Sequence, residues 1–227
     1  MIGAVIFDMD GVMVDTEGIY LQWLKDYLTG QGYSFSDREL FGIIGLSEAL
    51  SRGYMENLCG KDGGRLWDEF TEVCACYPFS YSGLVLPGLI ELLSYLQKEK
   101  VPVALASSSG MEDIRQMLAE TRLGQYFHVI VSGEVFRESK PNPEIYLHTA
   151  KLLRQDAADC IIIEDSDYGI RAGKAAGAYV IAREEKRYGF RQDAADVVAR
   201  DLYQVKDIIE EKRRGKGEHE ISEDLYQ

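Results

Sequence analysis

The 227-residue chain has no apolar run of the roughly 20 residues that a membrane-spanning helix needs. Its N-terminus lacks the basic start of a secretory signal, and the apolar run there is too short to serve as one. Positive charge is scarce: 25 Lys and Arg stand against 38 Asp and Glu, a net charge of −13. A protein of that sign is a poor nonspecific ligand for nucleic acid or anionic lipid, so neither partner is expected. A small anionic substrate stays admissible where a metal and one or two basic residues reverse the local field. Cysteine is limited to Cys59, Cys74, Cys76 and Cys160. Cys74-Ala75-Cys76 is not a zinc spacing, and no second pair or nearby histidine completes a site. Free thiols fit a reducing compartment, and a cytoplasmic location is expected. What remains, 46% apolar and 28% charged residues, is ordinary for a soluble globular protein of one large domain, with or without an insert.

The chain is organised around its beginning. Ala4-Val5-Ile6-Phe7 reads as a buried strand and leads directly into Asp8-Met9-Asp10-Gly11. Residues i and i+2 of extended backbone share a face, so Asp8 and Asp10 project together from the strand end. Two adjacent carboxylates beside a buried sheet repel and are costly to desolvate, so they call for a cation, a shared proton or a catalytic task. Gly11 then permits a tight reversal.

Residues 16–83 read as helical, with a capping box at Ser36-Asp37-Arg38-Glu39 and glycines between the helices. From Leu86 onward strands and helices alternate. A helix opens at Pro87-Gly88. Strands are expected at 101–106, 128–131, 160–163 and 179–182, with a short sixth at 196–198. Ser109 and Glu112 match a second capping box, and Asn142-Pro143 an N-cap followed by a first-turn proline. Gly169, Gly173 and Gly177 suggest a small-residue helix face against a sheet. The expected fold is α/β: a doubly wound parallel sheet, Rossmann-like, with strand order 3-2-1-4-5. Residues 1–15 and 84–214 would form this core, 16–83 an inserted all-helical cap, and 215–227 a charged surface tail.

Four polar groups follow predicted strands: Asp8/Asp10, Ser107, Lys140 and Glu164/Asp165. Ligands of open parallel sheets bind beyond the strand carboxyl ends, where strand order reverses, and the expected order puts that point at the first strand. Carboxylates form a hard oxygen pocket suited to Mg²⁺. Lys140 adds a point charge, and Ser107 and its neighbour Ser108, near a helix N-terminus, can receive an anion. Together these groups describe phosphoryl transfer.

Phe7-Asp8-Met9-Asp10-Gly11-Val12, Leu105-Ala106-Ser107-Ser108-Ser109, Ser139-Lys140-Pro141 and Ile163-Glu164-Asp165-Ser166 resemble, in order, the four motifs of the haloacid dehalogenase superfamily. The branch it resembles includes β-phosphoglucomutase and small phosphatases with a helical cap. The resemblance implies that Asp8 is the nucleophile and that Asp10 serves as acid and then base. It implies that Ser107 and Lys140 hold the transferring phosphoryl. Mg²⁺ would be bound by Asp8, the Asp10 carbonyl and Asp165, with Glu164 behind or through water. It also implies a mobile cap hinged near 14–16 and 82–86.

Asp10 favours phosphate-ester chemistry over the dehalogenase and phosphonatase branches, which lack an acid there. Related mutases carry a cap histidine where this chain has Tyr20, and a cap arginine where the loop here reads Gly45-Leu46-Ser47. The expectation is therefore a phosphatase acting on a small phosphorylated metabolite, a sugar phosphate or similar. A phosphosugar mutase and a non-catalytic phosphometabolite-binding protein are the alternatives. Tyr20, Leu46, Ser47 and Arg52 are the specificity candidates. Glu17 is expected to be solvated, and the protein to be a monomer or small homo-oligomer.

Overall fold

A computed structural model describes residues 2–74, 76–77 and 79–223, with side chains except at 48, 49 and 216–223. Six strands form one parallel sheet in the order β3-β2-β1-β4-β5-β6. They are β1 (Ala4–Phe7), β2 (Val103–Ser107), β3 (Val129–Ser132), β4 (Cys160–Glu164), β5 (Tyr179–Arg183) and β6 (Val197–Ala199). The five-strand order expected from the sequence is present, extended by β6.

Alternation along β1 divides the core. Val5 and Phe7 face a cluster built with α5 (Leu89–Lys98), α6 (Met111–Thr121) and α9 (Leu202–Glu223). Ala4 and Ile6 face the other side, with α7 (Glu144–Leu152) and α8 (Asp167–Ala175). Two apolar faces on one strand are what a parallel sheet covered by helices on both sides requires.

Between β1 and α5 lie α1 (Glu17–Gly30), α2 (Asp37–Leu40), α3 (Glu48–Cys59) and α4 (Gly63–Cys74). They surround a separate cluster that includes Leu24, Leu28, Leu40, Met55, Leu66 and Phe70. The capping box at Ser36 and Glu39 forms as expected. The chain enters and leaves this helical unit through a short paired ribbon. Asp15 N–H donates to the Leu84 carbonyl at 2.9 Å, and Leu86 N–H to the Met13 carbonyl at 2.9 Å.

Four local expectations give way. Gly110, not Ser109, precedes α6, and the Glu134 carboxylate, not a capping serine, accepts from Met111 N–H at 3.0 Å. Pro143 precedes the first residue of α7, while the Asn142 side chain accepts from Glu144 N–H at 2.9 Å. The helix α8 ends at Ala175, so Gly177, with φ +83°, turns the chain out of the helix. Only Gly169 and Gly173 serve the small-residue face: an added Cβ would overlap the Glu164 side chain at the first and crowd Val180 and Ile162 at the second. α9 continues to Glu223, past Gly215 where the sequence reading begins a tail, and residues 224–227 lie outside those described. Among the described residues no helix is long and apolar enough to cross a membrane.

Candidate active site

β1, β2 and β4 are adjacent and parallel, so their carboxyl ends open on the same edge. Asp8 continues β1, Ser107 ends β2, and Glu164-Asp165 closes β4. These groups and Lys140 line or underlie one cavity of about 730 Å³. Gly11 makes the convergence possible: its φ is +72°, and a Cβ there would overlap the Asp165 carboxylate.

Lys140 is the hub of the buried charges. Its ammonium donates to Asp8 Oδ1 at 2.6 Å and to Glu164 Oε1 at 2.7 Å. Burial opposes its charge, but Asp8 and Glu164 outweigh that effect and hold its pKa well above the ordinary lysine value. Glu164 is fully buried and fully occupied. Oε1 also accepts from the Tyr146 hydroxyl at 2.6 Å, and Oε2 accepts from Asp165 N–H, Ser166 N–H and the Ser166 hydroxyl. Burial alone would raise its pKa, but Lys140 and these donors bring it below the usual value. Carboxylate oxygens of Asp8, Glu164 and Asp165 lie within 4.8 Å of one another, a possible cation cluster. With both its oxygens engaged, Glu164 is better suited to hold Lys140 and the β4 loop in place than to bind an ion directly.

Asp10 is held on both sides. The Thr16 hydroxyl donates to Oδ1 and the Ser109 hydroxyl to Oδ2, each at 2.5 Å. Thr16 belongs to the ribbon leading into the helical unit, so Asp10 is tied to that unit's position. Burial raises the pKa of Asp10 against these hydrogen bonds. Asp8 is raised to about 7, chiefly by burial, with Lys140 opposing and Glu164 adding. Asp165 is raised well above the carboxylate range by burial, then by Glu164 and Asp8. Asp8, Asp10, Glu17, Asp113 and Asp165 all line the cavity, and among the described residues Lys140 is the only cation in the lining. Such an excess of carboxylate cannot receive an anion without added positive charge.

Ser107 and Ser108 line the cavity as expected, and the buried Ser107 hydroxyl accepts from Ser109 N–H at 3.0 Å. Tyr20, Leu46 and Ser47 also line it, and the Ser139 hydroxyl donates to the Ser47 hydroxyl at 2.9 Å, joining the Lys140 loop to the helical unit. Arg52 does not reach the cavity. Its guanidinium is spent on Asp68, at 3.0 Å, and on Glu56 on the surface of the helical unit. Glu17 is not solvated either: it is half-buried in the cavity wall, and burial, with Asp10 and Asp8 next, pushes it up to about 8.

Residues that local patterns did not single out complete the frame. Arg183, at the end of β5, donates to the Gly11 carbonyl and to Glu185. Arg187 forks onto Asp15 at 2.9 and 2.8 Å, tying the loop after β5 to the ribbon. The Gln192 amide donates to the Asp165 and Arg183 carbonyls. Pairs 172 positions apart, like Asp15 and Arg187, carry no local signature. For Tyr146 the only signal was its place on the helix after Lys140.

Comparison with known proteins adds the following. A family model described as haloacid dehalogenase-like hydrolase matches residues 5–183. A bifunctional riboflavin kinase/FMN phosphatase of Arabidopsis thaliana is 35% identical over 188 residues, covering 78% of this chain. The chain spans only 47% of that protein's length. A phosphorylated carbohydrates phosphatase of Thermotoga maritima is 32% identical over 180 residues, covering 77% of this chain and 81% of that protein. A β-phosphoglucomutase of Clostridium difficile superposes with a TM-score of 0.79 at 24% identity, over 95% of this chain and 99% of the other. At that identity the likeness speaks for the fold.

Proposed function

The chain belongs to the haloacid dehalogenase-like hydrolase family, and from that premise we propose that it hydrolyses a small phosphorylated metabolite. The reaction would pass through a phosphoryl group carried by Asp8, with Mg²⁺ as cofactor. The observation that carries this reading is the meeting of Asp8, Asp10, Lys140 and Asp165 in one cavity at the carboxyl edge of the sheet.

The donor set fits the metal. Carboxylate oxygens clustered within 4.8 Å are hard ligands of the kind Mg²⁺ takes. Asp8, Asp165 and the Asp10 carbonyl would hold the ion, with Glu164 acting from behind. When bound, it neutralises charge on the phosphoryl oxygens.

The chain's own groups then divide the work. Lys140 grips Asp8 Oδ1, and the other Asp8 oxygen accepts no hydrogen bond among the described residues. That free oxygen attacks phosphorus, and the bond to the leaving alkoxide breaks. Asp10 gives the alkoxide a proton, and its raised pKa suits that role. Asp10 next takes a proton from water, whose oxygen attacks phosphorus and releases Asp8 and inorganic phosphate. Ser107, Ser108 and Lys140 would hold the phosphoryl oxygens throughout. The helical unit would act as a cap that excludes bulk water.

A mutase must also hold the second phosphate of a bisphosphate, and among the described residues the cavity wall offers no cation beyond Lys140 to receive one. A purely binding role leaves the paired Asp8 and Asp10 without a task. Phosphate release from an aryl phosphate and a panel of phosphorylated metabolites, with Mg²⁺, tests the proposal. We expect turnover by the native protein and none by Asp8→Asn. Equal rates in the two would refute the assignment of Asp8.

A further inference from the structure

The cavity has a floor from the sheet edge and α6, and a roof from the helical unit. We propose that the roof binds the leaving group of the substrate through an aromatic ring, so that phosphate monoesters of ring-bearing alcohols are preferred over those of polyols. The reaction rests on the hydrolase reading above; the ligand preference rests on the roof alone.

The roof is a connected aromatic surface. Trp23 meets Tyr20, Tyr77 and Phe79 with ring centroids 5.5, 5.0 and 5.6 Å apart. Tyr20 meets Phe79 at 5.6 Å, and Phe79 meets Tyr81 at 4.6 Å. Across the cavity wall, α4 adds Trp67 and Phe70, themselves 5.7 Å apart. Rings at these spacings leave faces and edges that a further ring can engage by offset stacking or edge contact.

The same surface is a poor host for a polyol. Each hydroxyl that leaves water needs a replacement partner, or its burial is costly. Two of the roof's hydroxyls are engaged: Ser47 accepts from the Ser139 hydroxyl at 2.9 Å, and Thr71 donates to the Asp68 carbonyl at 2.8 Å. The indole N–H of Trp67 is buried and has no acceptor among the described residues. Among the described residues no Lys, Arg or His of the helical unit lines the cavity, so a second anionic group on the leaving group would be buried unpaired. Polar groups gather toward the reacting end, where Glu17 of α1 and Asp113 of α6 line the cavity and feel the charge of Asp10. The substrate that fits is polar beside its phosphate and aromatic at its far end.

The chain has two tryptophans, Trp23 and Trp67, and both line this cavity, so their emission reports on occupation of the roof. The test titrates the native protein with benzyl alcohol and with glucitol by calorimetry, while following tryptophan emission. Phosphate release from benzyl phosphate and glucitol 6-phosphate is then compared with Mg²⁺. We expect benzyl alcohol to bind about tenfold more tightly than glucitol and to shift the emission, as a few aromatic contacts allow. Benzyl phosphate should show the higher kcat/KM, mainly through KM. Trp23→Leu should weaken benzyl alcohol binding more than glucitol binding, reducing the ring preference about threefold. Glucitol binding as tightly as benzyl alcohol would overturn the proposal, as would ring binding that leaves the emission unmoved. The alcohols bind without turnover, so failure to hydrolyse either ester would strike the hydrolase reading while the titration still decides the ring preference.

Discussion

The floor of the cavity carries Asp8, Asp10, Asp165 and Lys140, whereas the roof opposite carries Trp23, Trp67 and Phe79 and contributes no cation to the lining. The floor is built at strand ends, where register fixes each side chain to within a residue. The roof is built from α1, α4 and the segment after α4, whose meeting depends on a separate apolar cluster. The two therefore respond to different forces. The floor is set by charge pairing that burial makes expensive to break, and the roof by apolar packing that a volume change can loosen.

Substitutions can separate them. The largest effect belongs to the floor: Asp8→Asn, measured by phosphate release, should abolish turnover while far-UV circular dichroism stays native. Next comes the roof's support. Leu66 is fully buried in the helical cluster and does not line the cavity. Leu66→Ala should cost about 2–5 kcal/mol of local stability. Hydrogen exchange should then accelerate in α1–α4 and leave β1, β2 and β4 protected. Equal acceleration in the strands would show that floor and roof unfold as one.

The smallest effect lies at their junction. Burial would raise the pKa of Glu185, but Arg187 and Arg183 outweigh it and lower the carboxyl from 4.5 to about 2. A depressed carboxyl pKa stabilises the fold at pH above the unfolded value and ceases to do so as pH falls through the folded one. Glu185 therefore contributes fully above about pH 4.5, and its contribution fades as pH falls toward 2. Acid unfolding curves of the native protein and Glu185→Gln should converge over that interval. Curves that keep a constant separation would contradict the assignment.

The contrast also explains what could be read from the sequence. Asp8 and Asp10 stand two apart at the end of an apolar run, so β1, its strand-end position and the reversal at Gly11 were all legible. Ser107, Lys140 and Glu164-Asp165 followed from the same alternation of strands and helices. Ser109 was misread because its local pattern fits a helix cap, while in the fold its hydroxyl goes to Asp10, 99 residues away. Arg52, a specificity candidate by its place among the cap helices, turns away from the cavity, where Glu56 and Asp68 satisfy its guanidinium. Glu17 was assigned to solvent because helix periodicity does not reveal which face of α1 turns toward the sheet edge. Tyr146, Arg183, Arg187 and Gln192 act across long stretches of chain, where no spacing rule reaches.

The central claim, that Asp8 carries the phosphoryl group, is open to direct detection. In Asp10→Asn, with an aryl phosphate whose phenolate leaves without protonation, only the activation of water is lost, so the phosphorylated form should accumulate. Rapid acid quench after mixing with substrate and Mg²⁺, followed by peptide mass spectrometry, should find phosphate on the peptide containing Asp8 and specifically on that residue. A phosphate carried by any other side chain, or none while phenol is still released, would contradict the account.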